Sequence, residues 1–161
     1  MPNHNTFDIA PIRAWLAPYL QGVIIDPFAR DQKLATITND LNPATSAQYH
    51  MDVFAFVDWL LTFKEQADVI LFDPPYSPRQ LKECYESIGR AFTTQDGQVP
   101  GRWTKARDGL AQMLRPGGHA LSFGWNSSGF GKKRGFELVR VLLVCHGSGH
   151  NDTICVAERK T

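Results

Sequence analysis

The chain has 161 residues, of which 43% are hydrophobic and 20% charged. This composition is typical of a globular protein and predicts a single domain over residues 1–161. The net charge of only +1 excludes attraction of nucleic acid by the electrostatic field of the whole protein. The three cysteines form no C-x-x-C pair, no apolar run reaches the roughly 18 residues of a membrane helix, and the N-terminus lacks a secretory signal, so we expect a cytoplasmic protein without a metal site.

The first half of the chain predicts two helices separated by short extended segments. Apolar residues between Ile12 and Leu20 recur every three or four positions, which is typical of an amphipathic helix over residues 10–20. Residues 53–63, "VFAFVDWLLTF", are apolar almost all round and predict a buried helix. Between these helices we expect strands over residues 22–26 and 34–40 and a short extended segment over residues 48–52.

The second half alternates strands with helices and ends in a hairpin. Leu81, Cys84, Tyr85 and Ile88 keep a helical period after a strand over residues 68–72. The remaining elements expected are a flexible loop over 91–101, a helix over 102–114, a strand over 119–125 and a pair of strands over 136–147 and 150–159. This order predicts an α/β fold with a mostly parallel sheet, helices on both faces and a C-terminal antiparallel hairpin.

Four of the extended segments end in an aspartate: Asp26, Asp40, Asp52 and Asp73. Each could simply cap a helix or begin a turn. Ligands of parallel sheets, however, bind outside the carboxyl ends of the strands, where these four acids would meet. Because an ionised carboxylate only accepts hydrogen bonds, the group suits a ligand rich in hydroxyl and amino donors.

The segment Asp73-Pro74-Pro75-Tyr76 interrupts the chain directly after the most apolar strand. The Asp73 carboxylate and the rigidly held Pro74 carbonyl are two acceptors close enough to bind both hydrogens of one amino group. Tyr76 adds a flat face on which an aromatic ring can stack. The segment therefore predicts a site for an aromatic amine.

On these residues the chain resembles the S-adenosylmethionine-dependent methyltransferases that modify the exocyclic amino group of adenine in DNA, whose signature is D-P-P-Y after the fourth strand. Other segments are similar to the same family in the expected order. They are "TFDIAPIRAWL" (residues 6–16), "IIDPFA" (24–29), "NDLNP" (39–43), "HMD" (50–52) and "LRPGGHALSF" (114–123). The resemblance covers nearly the whole chain and implies a compact Rossmann-like methyltransferase fold with a shortened first crossover.

The resemblance also implies roles for individual residues. Asp40 would hold the ribose hydroxyls of the donor and Asp52 its adenine amino group, while Asp73, Pro74, Pro75 and Tyr76 would hold and stack the target base after it is flipped from the helix. The full donor set that the resemblance implies is Thr6, Phe7, Asp26, Pro27, Phe28, Ala29, Asn39, Asp40, Leu41, Asp52, Val53 and Asp73.

The chain departs from the family pattern after Ala29. Arg30, Asp31, Gln32 and Lys33 stand where the family usually has glycines, and about eight residues separate the first two strands, which leaves little room for a crossover helix. Two interpretations stay open. Either Arg30 or Lys33 pairs with the methionine carboxylate of the donor, or the donor site is impaired.

Contacts with DNA are expected from local basic residues, since no separate target-recognition domain fits in the chain. The candidates are Arg79, Arg102, Lys105 and Arg107 in the segment 77–107, taken as a largely irregular loop, and His146, His150 and Asn151 in the turn 146–153. The ordinary interpretation is that the arginines and the lysine are solvated surface cations and that the residues of 146–153 only form a turn. Sequence specificity is then expected from a homodimer or a specificity partner, with no membrane involved.

The leading hypothesis is methyl transfer to the adenine amino group of DNA. A related hypothesis keeps the chemistry and changes the acceptor to cytosine or to RNA. A hypothesis of a different class is a methyltransferase-like subunit that binds nucleic acid or a protein partner without transferring methyl groups.

Overall fold

A computed structural model describes residues 5–93, 96 and 101–161, and its centre is one six-stranded sheet. Strands β1, β2, β3 and β4 are parallel neighbours, and β6 pairs antiparallel with both β4 and β5, so the spatial order is β2-β1-β3-β4-β6-β5. The strands are β1 Ile24–Asp26, β2 Ile37–Thr38, β3 Ala67–Phe72, β4 Leu114–Gly124, β5 Phe136–Val144 and β6 Thr153–Lys160. The mostly parallel sheet with a C-terminal hairpin confirms the fold class expected from the sequence.

Among the described residues, four α-helices and three short 3-10 turns accompany the strands. The helices are α1 Ala10–Leu16, α2 Val53–Leu60, α3 Pro78–Ser87 and α4 Thr104–Met113, and the 3-10 turns are Thr6–Asp8, Ala17–Tyr19 and Lys132–Arg134. Asp52 begins α2 by accepting a hydrogen bond from the backbone of Phe54, and Ser77 begins α3 in the same way. Within the described ranges, none of the helices is both long and apolar enough to span a bilayer.

The central strand β3 is buried on both faces and divides the core in two. Val69 and Leu71 pack with α1, whereas Ile70 and Phe72 pack with α2 and α4. This alternation follows from the two-residue period of a strand. A continuous apolar run is therefore expected over residues 69–72, and it ends where β3 gives way to Asp73.

Several element boundaries differ from the sequence expectation. Helix α2 is amphipathic and not buried all round, because only one side faces the sheet; Leu61 and Phe63 lie beyond its end and are 39% and 49% exposed. The segment 48–52 contributes a single bridge, between Asn39 and Tyr49. The link between β1 and β2 contains no α-helix, as the short spacing predicted.

The segment 77–107 was expected both to begin with a helix through Leu81 and Tyr85 and to be a largely irregular loop; the helix is confirmed, and the expectation of a loop was wrong. The segment contains all of α3 and the first turn of α4, because Leu81 and Tyr85 supply a buried helical face. The flexible loop expected over 91–101 falls mainly on residues 94–95 and 97–100, which lie outside the described residues.

Candidate functional site

A cavity of about 870 Å³ opens at the carboxyl ends of the parallel strands, and we call it the rim cavity. This volume lies in the range of small-molecule sites. Three of the four strand-end acids, Asp40, Asp52 and Asp73, line it together. Residues that the resemblance assigns to the donor and to the acceptor therefore share one continuous space.

Asp40 and Asp52 stabilise local turns and also face the rim cavity. Asp40 accepts hydrogen bonds from the backbone N–H groups of Arg30, at 3.0 Å, and Asn42, at 2.8 Å. Asp52 accepts one from Phe54 at 2.9 Å. Each carboxylate oxygen offers about two acceptor positions, so both acids retain capacity for a ligand's hydroxyl or amino groups. Each acid can therefore both stabilise a turn and bind a ligand.

Asn39 lines the rim cavity, but its side-chain amide is committed to the backbone. It donates to the carbonyls of Pro27 and Met51 and accepts from the Met51 N–H, all within 3.2 Å. These bonds tie the loop after β1 to the segment that leads into α2. The structure thus shows Asn39 as a positioning residue for both sides of the cavity floor.

Arg30 stands in the loop where the family pattern has glycine, and its backbone adopts a left-handed conformation with φ of 51°. Glycine reaches this region without cost, whereas other residues are uncommon there. Arg30 thus adopts a backbone conformation that glycine reaches more readily. Arg30 lines the rim cavity and Lys33 is not among its described lining residues, so Arg30 is the better placed of the two cations.

Asp26 was expected to contact the donor, but it lies below the cavity. The residue is 1% exposed, and its Oδ1 accepts a hydrogen bond from the Phe28 N–H at 3.0 Å. Oδ2 is buried and finds no hydrogen-bond partner in the described part of the chain. Burial, together with the nearby Asp73 and Asp40 carboxyls, raises the pKa of Asp26 to about 8.

Asp73 forms the centre of a small hydrogen-bonded group at the end of β3. The Tyr76 hydroxyl donates to Asp73 Oδ1 and lies 3.4 Å from the Thr6 hydroxyl. Burial raises the pKa of Asp73, and the bonds from Tyr76 and Thr6 oppose that rise. Burial and the adjacent carboxylate raise the pKa of Tyr76, which keeps its hydroxyl protonated as a donor.

Tyr76 was expected to present its ring to the acceptor, and the structure places it differently. The ring packs against the core on the α1 side and makes a T-shaped contact with Trp125, with centroids 5.8 Å apart. Tyr76 is not one of the described residues that line the rim cavity, although Pro75 is. The Tyr76 N–H donates to Gln80 Oε1 at 2.6 Å, so the first turn of α3 holds this orientation.

The other donor residues that the resemblance assigned fall into two groups. Pro27, Phe28, Leu41 and Val53 line the rim cavity. Thr6, Phe7 and Ala29 line a second pocket of only about 10 Å³ that also reaches Asp73 and Arg30. The structure thus brings the N-terminal segment next to the D-P-P-Y turn, which lies about 70 residues later in the chain.

Of the four basic candidates, two line the rim cavity and two are engaged elsewhere in the fold. Arg79 and Arg102 line the rim cavity, and the Arg102 guanidinium donates to the Tyr85 hydroxyl. Lys105 instead pairs with Asp58 at 3.7 Å on an exposed surface. Arg107 lies over the Phe72 ring at 5.0 Å and donates to the Ser128 carbonyl, so its cation is used within the fold. Lys105 and Arg107 are therefore not placed to contact a ligand in the cavity.

The turn after β5 reaches the same rim. Strands β4 and β5 run in one direction, because each is antiparallel to β6, so the turn lies beside the end of β4. His150 and Asn151 line the rim cavity. His146 does not appear among its described lining residues; its ring nitrogen lies 2.9 Å from the Thr153 hydroxyl within the hairpin.

Sequence reasoning missed Trp125, which lines the rim cavity directly after β4 and is 36% exposed. A signal was present: a large aromatic residue follows a strand at the edge where ligands bind. Trp103, Tyr85 and Cys84 also line the cavity, and the helical period of α3 had assigned the last two only to packing.

Neither a protein-family model nor a curated protein matches the chain. Solved structures do resemble it. NSun6 from Pyrococcus horikoshii, solved with SFG, is 17% identical at a TM-score of 0.56 over 90% of this chain and 49% of its own. TrmN from Thermus thermophilus is 16% identical at a TM-score of 0.56, over 92% and 48%. The N-methyltransferase NodS from Bradyrhizobium japonicum WM9, in complex with S-adenosyl-l-homocysteine, is 16% identical at a TM-score of 0.59, over 98% and 89%.

These likenesses establish the fold. The chain has a Rossmann-like methyltransferase fold, which confirms the architecture that the resemblance implied. The chain spans about half the length of NSun6 and TrmN. Because one fold supports many reactions, the activity has to be argued from the rim cavity.

Proposed function

We propose that the protein transfers a methyl group from S-adenosylmethionine to the exocyclic amino group of adenine in DNA. The observation that carries this proposal is the meeting of Asp40, Asp52 and Asp73 in one cavity of a methyltransferase fold. Two of these acids suit the donor, and the third stands at the end of the central strand beside two prolines. The adenine acceptor and DNA rest on the D-P-P-Y resemblance.

The residues of the rim cavity fit the donor by their chemistry. Asp40 and Asp52 offer carboxylate oxygens for the two ribose hydroxyls and the adenine amino group, and Leu41, Val53 and Phe28 offer apolar surface for the adenine ring. When bound, S-adenosylmethionine supplies a methyl group on a positively charged sulfur that is open to attack by an amine. Arg30 lines the rim cavity, which supports the proposal that its cation binds the donor's carboxylate in place of the backbone approach that glycines allow in the family.

Asp73 is the residue proposed to hold the acceptor. The carboxylate accepts from the Tyr76 hydroxyl at Oδ1 and retains acceptor positions for the target amine. The Pro74 carbonyl, the second acceptor that the resemblance implies, belongs to a buried residue that is not among the described lining residues of the rim cavity. Asp73 is therefore the acceptor proposed to bind an amine hydrogen and direct the nitrogen lone pair toward the donor. Catalysis here would depend mainly on positioning, because a single in-line displacement needs aligned reactants at close range.

The alternatives concern the acceptor and the activity itself. Cytosine in DNA and the bases of RNA present similar amino groups, which the Asp73 carboxylate could accept in the same way. The binding-module alternative is favoured by one observation, namely that Arg30 takes the place of a glycine in the donor loop. A cytoplasmic location, a single domain and a homodimer or specificity partner remain predictions that accompany this proposal.

The test combines donor binding with methyl transfer. Isothermal titration with S-adenosylmethionine should give micromolar affinity that Asp40→Asn weakens and Asp73→Asn leaves nearly unchanged. Labelled donor with adenine-containing DNA, cytosine-containing DNA and RNA then identifies the acceptor. Asp58→Asn is a matched control, because Asp58 lies on the exposed side of α2 and pairs only with Lys105 among the residues described.

Two outcomes would reject the proposal. Transfer confined to RNA would exclude the DNA assignment. Absence of donor binding by the folded wild-type protein, with or without added DNA, would favour the binding module.

A further inference from the structure

We infer that Trp125, and not Tyr76, is the surface on which the acceptor base stacks, with His150 and Asn151 along the edge of that base. This inference rests on the proposed function, because it concerns the acceptor half of the same cavity. The ligand class is a nucleobase that carries an exocyclic amino group.

Tyr76 is engaged elsewhere. Its hydroxyl donates to Asp73 and lies beside Thr6, its N–H donates to Gln80, and its ring packs against the α1 side of the core. Turning this ring into the cavity would break the bond to the carboxylate that the acceptor amine also needs. The present arrangement instead leaves Tyr76 as a support for the residue next to it.

Trp125 has the position that Tyr76 lacks. In the parallel pairing of β3 with β4, Phe72 lies opposite Ser122, and β4 continues to Gly124. Asp73 and Trp125 therefore both follow their strands at the same carboxyl-end rim, with Trp125 level with Pro75 in the register. Trp125 lines the rim cavity and retains 36% exposure. Tyr76 contacts the indole in a T-shaped geometry, at an interplanar angle of 67°, and stabilises its position.

The surroundings of Trp125 suit a base. Pro75 and Asp73 lie on the strand side of the cavity, and His150 and Asn151 come from the turn after β5. A base stacked on the indole can direct its amino group to Asp73, while the imidazole and the amide can each donate to ring nitrogens and carbonyls of the base or accept from its N–H groups. Indole offers the largest flat apolar face among the side chains, which favours stacking that tolerates different bases.

The test measures binding with the donor site filled. S-Adenosylhomocysteine at saturation prevents an adenine ring from entering the donor half of the cavity. A fluorescent single-stranded oligodeoxyadenylate is then titrated and compared with an abasic oligomer of the same length and charge. The variants are Trp125→Ala, Trp125→Leu, Trp125→Phe, Tyr76→Phe and Tyr76→Leu, each checked for folding by circular dichroism.

Trp125→Ala and Trp125→Leu should weaken oligodeoxyadenylate binding about 5- to 100-fold, the usual range for losing one base–aromatic stack. Trp125→Phe should retain most of the affinity, and binding of the abasic oligomer should not change in any variant. The leucine variant preserves apolar volume, so it decides the question if the alanine variant does not fold.

Three results would overturn the inference. They are equal affinity of wild type for the two oligomers, unchanged affinity in both Trp125→Ala and Trp125→Leu, or a loss of affinity in Tyr76→Leu without a loss in the Trp125 variants. Failure of the proposed function looks different. In that case the Trp125 variants still lose affinity for oligodeoxyadenylate, while wild type transfers no methyl group to any nucleic acid.

Discussion

Asp26→Asn should make the stability of the folded protein less dependent on pH. Asp26 is a carboxyl group with 1% exposure, one hydrogen bond to Oδ1 and a buried Oδ2 that has no partner among the residues described. Burial disfavours its charged form and raises its pKa from 3.8 to about 8. Asparagine has the same shape, keeps the acceptor for the Phe28 N–H and cannot ionise.

The sign and size of the effect follow from proton binding. Between pH 3.8 and about 8 the folded state binds more protons at Asp26 than the unfolded state does, so the free energy of unfolding falls as pH rises through this window. One proton gives at most about 1.4 kcal/mol per pH unit. Wild type therefore loses up to about 3 kcal/mol through this group between roughly pH 5 and pH 7, a large share of a typical stability of about 5–15 kcal/mol.

Urea unfolding followed by circular dichroism at several pH values measures this difference. Asp26→Asn and wild type should have similar stability below pH 3.8, and the variant should become progressively the more stable of the two toward pH 8. Asp68→Asn is a control of opposite sign. Hydrogen bonds from the Val23 N–H and Arg115 lower the pKa of Asp68, so its removal should cost stability at neutral pH and progressively less as pH falls below its ordinary pKa. Parallel curves for wild type and Asp26→Asn would refute the reasoning.

Three other predictions concern the site. Asp73→Asn should lower kcat at least 100-fold while donor affinity changes less than twofold, because the amide replaces one acceptor oxygen with a donor; rapid-quench and titration experiments measure the two quantities. Tyr76→Phe removes a bond that lowers the pKa of Asp73, so the acidic limb of the pH–rate profile should move to higher pH; an unchanged limb would contradict the assignment of Asp73. Asn39→Ala should cost about 2–4 kcal/mol of stability by leaving buried backbone groups unpaired; full stability with weakened donor affinity would instead make Asn39 a direct donor contact.

Much of the fold can be predicted from patterns among residues that are close in sequence. The unbroken apolar run of β3 requires burial on both faces, and the helical period of Leu81 and Tyr85 predicts the buried side of α3. The short spacing between the first two strands excludes a crossover helix, as observed. These features depend on residues close in sequence, so they can be derived without knowing the rest of the structure.

Boundaries and exposed faces were less predictable. The residues after Leu60 look like a continuation of an apolar helix, but they lie beyond the sheet and face solvent. Arg102 and Arg107 are similar in sequence context, yet the first lines the rim cavity and the second lies over Phe72. Arg102 lies in the turn before α4 and Arg107 lies in its first turn, so their directions are known only once the packing of α4 is known.

The sequence by itself determined the order of strands and helices and the placement of Asp40 shortly after β2 and of Asp73 directly after β3. Asp52 instead caps α2, because the segment before it contributes only one bridge. The tertiary structure alone decided how these side chains are used. The Tyr76 hydroxyl lies 3.4 Å from that of Thr6, a residue 70 positions earlier, and Trp125 reaches the rim cavity because β4 runs parallel to β3. Periodicity and turn chemistry act between neighbours along the chain, whereas the direction of a side chain at a site is set by contacts between segments far apart in sequence.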